Sequence, residues 1–365
     1  MSTVPAQSPT TPVPMAVIKP WHTRLRERLF GYAIRVILQG LITVWAVTTF
    51  TFFLIRLMPG NPVDIKIDQL MQQGIPYEIA RNQAMGLFAF NPDEPLPVQY
   101  LAYLGNLLRF DLGNSITNPG VRVIDQIAAF LPWTLFSVGS GLLISFALGV
   151  TLGTAMAYWR GSVFDNVLTA IASILYGIPD YIIALLLLIV GGVQLRLFQI
   201  GELRGAVDPG IAPGLTLEYI GSVLKHALLP VSTYVLASVG GWILTMKSST
   251  IATLGEDYIA VAKARGLPER RILTAYVARN AMLPLVTRLA ISIGFVVGGS
   301  VIVEELFQYP GLGRSLLRAI NSRDYTTMQG IFLVISISVV VSNMLADLMM
   351  GWLDPRIRLG KGHRD

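Results

Sequence analysis

Six long apolar stretches separated by polar segments run along the chain, over residues 36–55, 133–158, 167–195, 227–246, 282–303 and 330–350. Each is close to or above the roughly 20 residues that an α-helix needs to cross the hydrocarbon of a bilayer. The pattern predicts an all-α integral membrane protein with six transmembrane helices. The first stretch begins only at Val36, is too long for the apolar part of a signal peptide and lacks a small-residue exit. It reads as a retained anchor.

The polar segments differ in kind. Residues 1–23 are rich in Pro, Ser and Thr without apolar periodicity, and are expected to be a disordered tail. Residues 24–57 carry the first span. The stretch 58–131 is too long for a simple connection. Within it, YEIARNQAMGLF and VQYLAYLGNLLRF place apolar residues at helical spacing on either side of NPDEPLP. Leu101, Leu104, Leu107 and Leu108 would form one stripe of the second helix. This partly helical loop is either a cap that docks a partner or covers a path, or an inert tether. Residues 132–358 then form a core of five spans, and 359–365 a short tail.

Composition and charge fix the setting. Only 14% of residues are charged, against roughly 25% in a soluble domain, and mean hydropathy is +0.58. The basic residues cluster by side. Lys19, Arg24, Arg26, Arg28 and Arg35 precede the first span. Lys247, Lys263, Arg265, Arg270, Arg271 and Arg279 lie between the fourth and fifth, and Arg356, Arg358, Lys361 and Arg364 follow the last. The 58–131 loop is acidic instead, with Asp64, Asp68, Glu78, Asp93, Glu94, Asp111 and Asp125 outnumbering its cations. Positive charge marks the cytoplasmic side, so both termini and the segment around 256–280 are expected inside and the long loop outside. The basicity reads as topology, not as a nucleic-acid surface.

Catalytic chemistry finds no foothold. The chain has no Cys, and His22, His226 and His363 are too scattered for a metal site. No hydrolase set and no phosphate-binding G-x-x-x-x-G-K-[ST] loop occurs, so any ATP used must be hydrolysed elsewhere. Ionisable residues inside spans attract suspicion. Arg288 and Asp347 can reach an interface or each other. Asp180, directly after the helix break expected at Pro179, either faces a water-filled path, caps a restarted half-helix or is buried neutral. Ser145, Gly149 and Gly153, and Gly294 with Gly298, recur at four-residue spacing and read as helix-packing faces within the chain.

The segment EDYIAVAKARGLPERRILTAYVARN is too polar to cross a membrane, yet forms helix readily. Asp257 is the expected N-cap of a helix from Tyr258. Ala260 and Ala264 give that helix a thin face. Gly266 supplies the left-handed stop and Pro268 enforces it. A second helix from Pro268 would present Ile272, Leu273, Tyr276 and Val277 to the membrane side, with Arg270, Arg271 and Thr274 nearer water. The result is either a stiff crossbar pushed by a partner or an interfacial anchor.

DYIAVAKARGLPERRILTAYVARNAMLPLV resembles the cytoplasmic loop of permease subunits in binding-protein-dependent ABC importers, closest to the dipeptide, oligopeptide and nickel class. LIRLMPGNP, FDLGNSI, EELFQYPGLGRSLLRAINSRDY and DPRIR match the same family at intervals from about Arg24 to Arg358. Asp257, Tyr258, Ala262, Ala264 and Gly266 fit the peptide-class version of the loop. Asp180-Tyr181 after the proline and Thr326 after RDY depart from the usual pattern.

The resemblance implies a second homologous permease subunit, two ATPase subunits carrying ATP and Mg, and an extracytoplasmic solute-binding protein, with no cofactor on this chain. It implies that Asp257, Tyr258, Ala262, Ala264, Arg265 and Gly266 meet an ATPase. It also implies that Phe307, Pro310, Gly311 and Gly313 face the binding protein or shape the outer gate, and it leaves Asp180 and Tyr181 as candidates for the path. The implied cargo is peptide, with oligosaccharide or nickel as alternatives. An ion-coupled carrier would need interrupted helices in both halves, and the sequence shows one deep interruption.

Overall fold

The structure, a computed structural model, describes residues 21–57, 62–87, 94–118 and 120–353. The DPRIR motif, both tail ends and the side chains of Arg24, Arg26, Arg28, Arg35 and Asp347 lie outside the described residues. Helix is the regular structure throughout, apart from one isolated antiparallel bridge between Asn114 and Arg122. Trp21–Leu57 is α1, so residues 21–23, assigned above to the tail, open this helix. Three short helices follow: α2 (Pro62–Gln72), α3 (Tyr77–Leu87) and α4 (Leu96–Leu108). Next come α5 (Val123–Tyr158), α6 (Val163–Gly177) and α7 (Asp180–Leu186), the last continuing as a wider π-helical coil through Gln194. The long α8 (Leu217–Leu254) leads to α9 (Asp257–Ala264), α10 (Glu269–Arg271) and α11 (Arg279–Ala281). The chain ends with α12 (Leu283–Val296), α13 (Val301–Leu306), α14 (Leu312–Asn321) and α15 (Tyr325–Leu353).

Four of these helices hold segments long and apolar enough to cross a membrane, at Val36–Leu54, Val123–Tyr158, Leu217–Leu254 and Tyr325–Ala346. The expected third span is not one rod: α6 and α7 with its continuation are bent by 106°. Pro179 explains the corner, because it clashes with a helical residue before it. Ile178 accordingly lies at φ −93°, ψ 124°. The expected fifth span also stops early. α12 ends at Val296, and Gly299 turns at φ +62° before α13 starts at Val301. A left-handed turn of this kind ends a helix and suits glycine best. The described residues therefore give four whole spans and one broken one in place of six unbroken rods.

The spans close on one another through their small residues. A Cβ on Gly149 would lie 2.2 Å from the Trp242 Cβ, and one on Gly153 would lie 2.6 Å from the Ile243 carbonyl. Ser145 sits on the same face and accepts a hydrogen bond from Ser238 at 3.1 Å. Gly294 is similarly pressed on Ser342 of α15. Backbones this close gain van der Waals contact that larger side chains would prevent. These residues pack the chain onto itself.

The 58–131 segment is largely helical where described, and its buried face is only partly the one expected. α4 leans on α1 through Tyr100 and Tyr103, whose ring centroids stand 5.2 and 5.3 Å from that of Phe52. Tyr100 Oη also shares a 2.6 Å hydrogen bond with Thr49 Oγ1. Leu104 and Leu107 are half-buried beside the tyrosines, whereas Leu101 and Leu108 are 68% and 84% exposed, so only half of the leucine stripe lies on the packing face. Aromatic rings bury more area per contact than leucines do. The segment is then fastened to the last span by Asp324, which is fully buried and precedes α15. Its carboxylate accepts from Ile116 N–H at 3.2 Å, Thr117 Oγ1 at 3.0 Å, Thr327 N–H at 3.1 Å and the Ser115 hydroxyl. FDLGNSI and the following SRDY motif thus meet in space.

Candidate functional site: the crossbar and the outer hairpin

The crossbar between α8 and α12 is built as two arms around a glycine. α9 starts at Asp257 with Glu256 as its N-cap and no side-chain capping bond, which corrects the expectation that Asp257 caps it. Asp257 instead lies in the first turn, where its charge meets the positive end of the helix dipole. Gly266 takes φ +71°. Its N–H bonds the Lys263 carbonyl at 2.9 Å and that of Leu267 bonds Ala262 at 3.3 Å, the paired closure of a Schellman motif. Pro268 caps the second arm, which runs through α10, a π-helical stretch over Ile272–Ala278 and α11.

The arms hold each other through a private core of Ile259, Ala262, Ile272 and Val277, with Leu254, Leu267 and Tyr276 around it. Ile272 and Val277 therefore turn towards the first arm. Asn280 Nδ2 donates to Tyr258 Oη at 3.1 Å and to the Tyr276 carbonyl at 2.8 Å. Ala262 is only 4% exposed, so its part is to let the arms approach rather than to touch another protein. Asp257, Tyr258, Ala264, Arg265 and Gly266 remain exposed, together with Ala260 and Val261.

One side-chain bond ties the crossbar to the bundle. Tyr158 Oη, at the end of α5, donates to Glu269 Oε2 at 2.7 Å. Just before the crossbar, Lys247 is ion-paired to the buried Asp165, which also accepts from Gly161 N–H at 3.0 Å. Lys247, counted above as topological charge, is a fastener for the turn between α5 and α6. Arg288 lies over the Trp242 ring, 4.9 Å from its centroid, and donates to Thr245 Oγ1 at 3.3 Å.

At the other end of α5, α13 and α14 form a tight hairpin around Glu304, which no pattern above singles out. Glu304 is fully buried. It accepts from Thr134 Oγ1 at 2.9 Å and Arg314 N–H at 3.0 Å, while Thr134 Oγ1 accepts from Leu312 N–H at 2.8 Å. Glycines admit the carboxylate: a Cβ on Gly311 would lie 2.2 Å from it and one on Gly299 would lie 2.5 Å away. Phe307, Gly311 and Gly313 are buried and Pro310 half-buried, so most of this motif packs within the hairpin. The signal that could have found it is Glu-Glu followed five residues on by P-G-L-G, glycines spaced to clear a side chain.

The path candidates sit at the broken span. Asp180 is half-buried and Tyr181 is 38% exposed. Asp180 accepts from Ser300 Oγ at 2.8 Å and from Tyr181 N–H at 2.8 Å. It therefore belongs to the restarted half-helix, tied to the second break.

Four helices long and apolar enough to cross a membrane, with a bent pair beside them, make the class that of a multi-pass membrane protein. Residues 149–359 match the family described as the binding-protein-dependent transport system inner membrane component. The “Putative peptide permease protein” of Brucella suis biovar 1 is 34% identical over 331 residues, 91% of this chain and 100% of its own. The oligopeptide transport system permease protein of Bacillus subtilis is 30% identical over 327 residues, 90% of this chain and 99% of its own. The dipeptide transport system permease protein of Escherichia coli K12 is 30% identical over 330 residues, covering 87% and 95%. The chain belongs to this family of inner-membrane permeases. It is a non-catalytic, multi-pass permease subunit of an ABC importer, a system that also includes an ATPase and a binding protein.

Proposed function

We propose that the chain carries peptides across the inner membrane, handed over by an extracytoplasmic binding protein and driven by two ATPase subunits that hold the ATP and Mg. A second, homologous permease subunit completes the path. The relatives named for peptide, oligopeptide and dipeptide transport, matched over nearly their whole length, support the substrate class. With α6–α7 counted as one broken crossing and α12–α13 as another, the chain crosses six times, with both termini and the crossbar in the cytoplasm. The side-by-side clustering of basic residues supports that orientation.

The observation that carries the coupling role is the crossbar's construction. Its two arms bury Ile259 and Ala262 against Ile272 and Val277, and leave a thin exposed strip at Tyr258, Ala260, Ala264 and Arg265. A free interfacial anchor would turn its apolar residues to lipid, whereas this segment buries Ile259, Ile272 and Val277 within itself and leaves Val261 exposed. A self-supporting piece fixed to α5, α8 and α12 transmits a push. Asp257, Tyr258, Ala264, Arg265 and Gly266 meet the ATPase, with Ala262 keeping the arms together. Asp180 and Tyr181 line the path at the corner of the broken span.

The test is uptake by the whole complex in vesicles with its binding protein. ATP-dependent accumulation of labelled di- to pentapeptides is expected. ATP-dependent uptake of a different solute, with none of peptide, would overturn the substrate assignment.

A further inference from the structure

A cavity of about 160 Å³ opens beside the outer hairpin, between the 117–118 turn, the first turns of α5 and the polar face of α14. Phe130 forms one apolar wall and Asn118 supplies a side-chain amide, while the hydroxyls of Thr117 and Ser322 already donate to Asp324 at 3.0 Å and to the Arg318 carbonyl at 2.7 Å. Arg314 and Arg318 enter from α14, four residues apart and so on one face of the helix. Their situations differ. The Arg314 guanidinium is committed to Glu305 at 3.0 Å and to the Gln308 carbonyl. Arg318 is exposed, and no carboxylate among the described residues lies within ion-pair distance of it. Asp324 also borders the cavity, but its oxygens are filled by donors from Ser115, Ile116, Thr117 and Thr327. What the cavity offers is therefore one uncommitted guanidinium beside the Asn118 amide, the chemistry that recognises a carboxylate.

Its position selects the partner. α5 has 36 residues, so its ends stand ~54 Å apart at 1.5 Å per residue. Phe130, near one end, lines the cavity, while Tyr158 at the other end bonds the crossbar. A hydrocarbon core is about 30 Å thick, which puts cavity and crossbar on opposite membrane faces. We propose that this cavity is a docking socket that receives an acidic side chain of the solute-binding protein, with Arg318 as its ion-pair partner. The inference rests on the importer reading above and names the socket that reading leaves open.

The socket is wired to the path. Pro310 and Gly311 line it, and Gly311 is pressed on the Glu304 carboxylate. The same hairpin begins beside Ser300, which bonds Asp180. A side chain seated in the socket bears on the hairpin that joins the two broken helices.

The experiment uses the complete transporter in nanodiscs and its own binding protein, with affinity measured by interferometry at low and moderate salt. Arg318→Glu is expected to weaken docking about tenfold or more, and to flatten its salt dependence, as loss of a complementary interfacial charge does. Ser322→Trp, which fills the socket without touching charge, is expected to weaken it as well, while Arg318→Lys keeps most of the affinity. Basal ATP hydrolysis and subunit assembly stay at wild-type levels in all three. Docking left within twofold by both Arg318→Glu and Ser322→Trp overturns the inference while leaving the importer reading intact. It is equally overturned if docking is unchanged and Arg318→Glu alters only the preference for free-acid over C-terminally amidated peptide, which would make the cavity a solute site. Failure of the wild-type complex to dock or take up any solute overturns the importer reading, and the socket with it.

Discussion

Ser300 Oγ donates to Asp180 Oδ2 across 2.8 Å, joining the corner after Pro179 to the corner after Gly299. The two residues are far apart in sequence and sit at the two places where an expected span breaks. A single hydrogen bond therefore spans both discontinuities, and movement of either half-helix loads it.

Loss of that bond is expected to act on transport more than on folding. Asp180→Asn keeps the shape and removes the charge. It should change the uptake rate or the preference between cationic and anionic peptides, with the protein still inserted and assembled. Ser300→Ala should change the rate without changing charge preference. Competition uptake with charged peptide series separates the two effects, and equal wild-type behaviour in both variants would return Asp180 to a structural part.

Gly266 makes a second prediction. At φ +71° a β-branched side chain is strained by roughly 1–3 kcal/mol. Gly266→Val should leave insertion intact, distort the turn between the crossbar's arms and uncouple ATP hydrolysis from uptake. The ratio of peptides moved to ATP consumed reads this directly, and an unchanged ratio rejects the lever.

The Glu304 clasp is expected to set the stability of the outer hairpin. Thr134→Val removes the hydroxyl that donates to Glu304 and accepts from Leu312. A buried group left unsatisfied costs about 1–3 kcal/mol, so a lowered thermal midpoint in detergent is expected. Gly311→Ala forces a Cβ to within 2.2 Å of the carboxylate and should destabilise at least as much. Wild-type midpoints in both variants would remove the clasp.

A pH dependence follows from the loop ahead of α8. Asp208 accepts from Ser222 Oγ at 2.9 Å and Lys225 Nζ at 3.1 Å, and these bonds hold its carboxyl below the usual range. A group whose folded pKa is depressed contributes stability above its unfolded value, about 3.9 for Asp. That contribution disappears as pH falls through the folded value. Exchange protection of residues 204–216 should therefore hold from neutral pH to about pH 4 and drop below it. In Asp208→Asn the drop should be missing and protection lower throughout.

The chain's own pattern determined a good deal. Apolar runs marked where helix crosses lipid, because in hydrocarbon every backbone group must be satisfied within the segment. Pro179 announced a break, and Gly266 with Pro268 announced the turn of the crossbar, since both act through their own backbone angles. The motif series, read together, identified the family. These are local properties, carried by one residue or one helix face.

Tertiary structure decided the rest. Nothing in sequence spacing pairs Thr134 with Glu304, Ser115 with Asp324 or Asp165 with Lys247, because a buried polar group's partner depends on which distant helices meet. Periodicity nominated Leu101, Leu104, Leu107 and Leu108 of α4, yet Phe52 on another helix meets Tyr100 and Tyr103, which leaves Leu104 and Leu107 half-buried and Leu101 and Leu108 exposed. Ala262 belonged to an exposed motif by pattern and to a private core by packing. A helix's sequence states which of its faces are apolar, but the neighbour that covers a face is chosen by the assembled bundle.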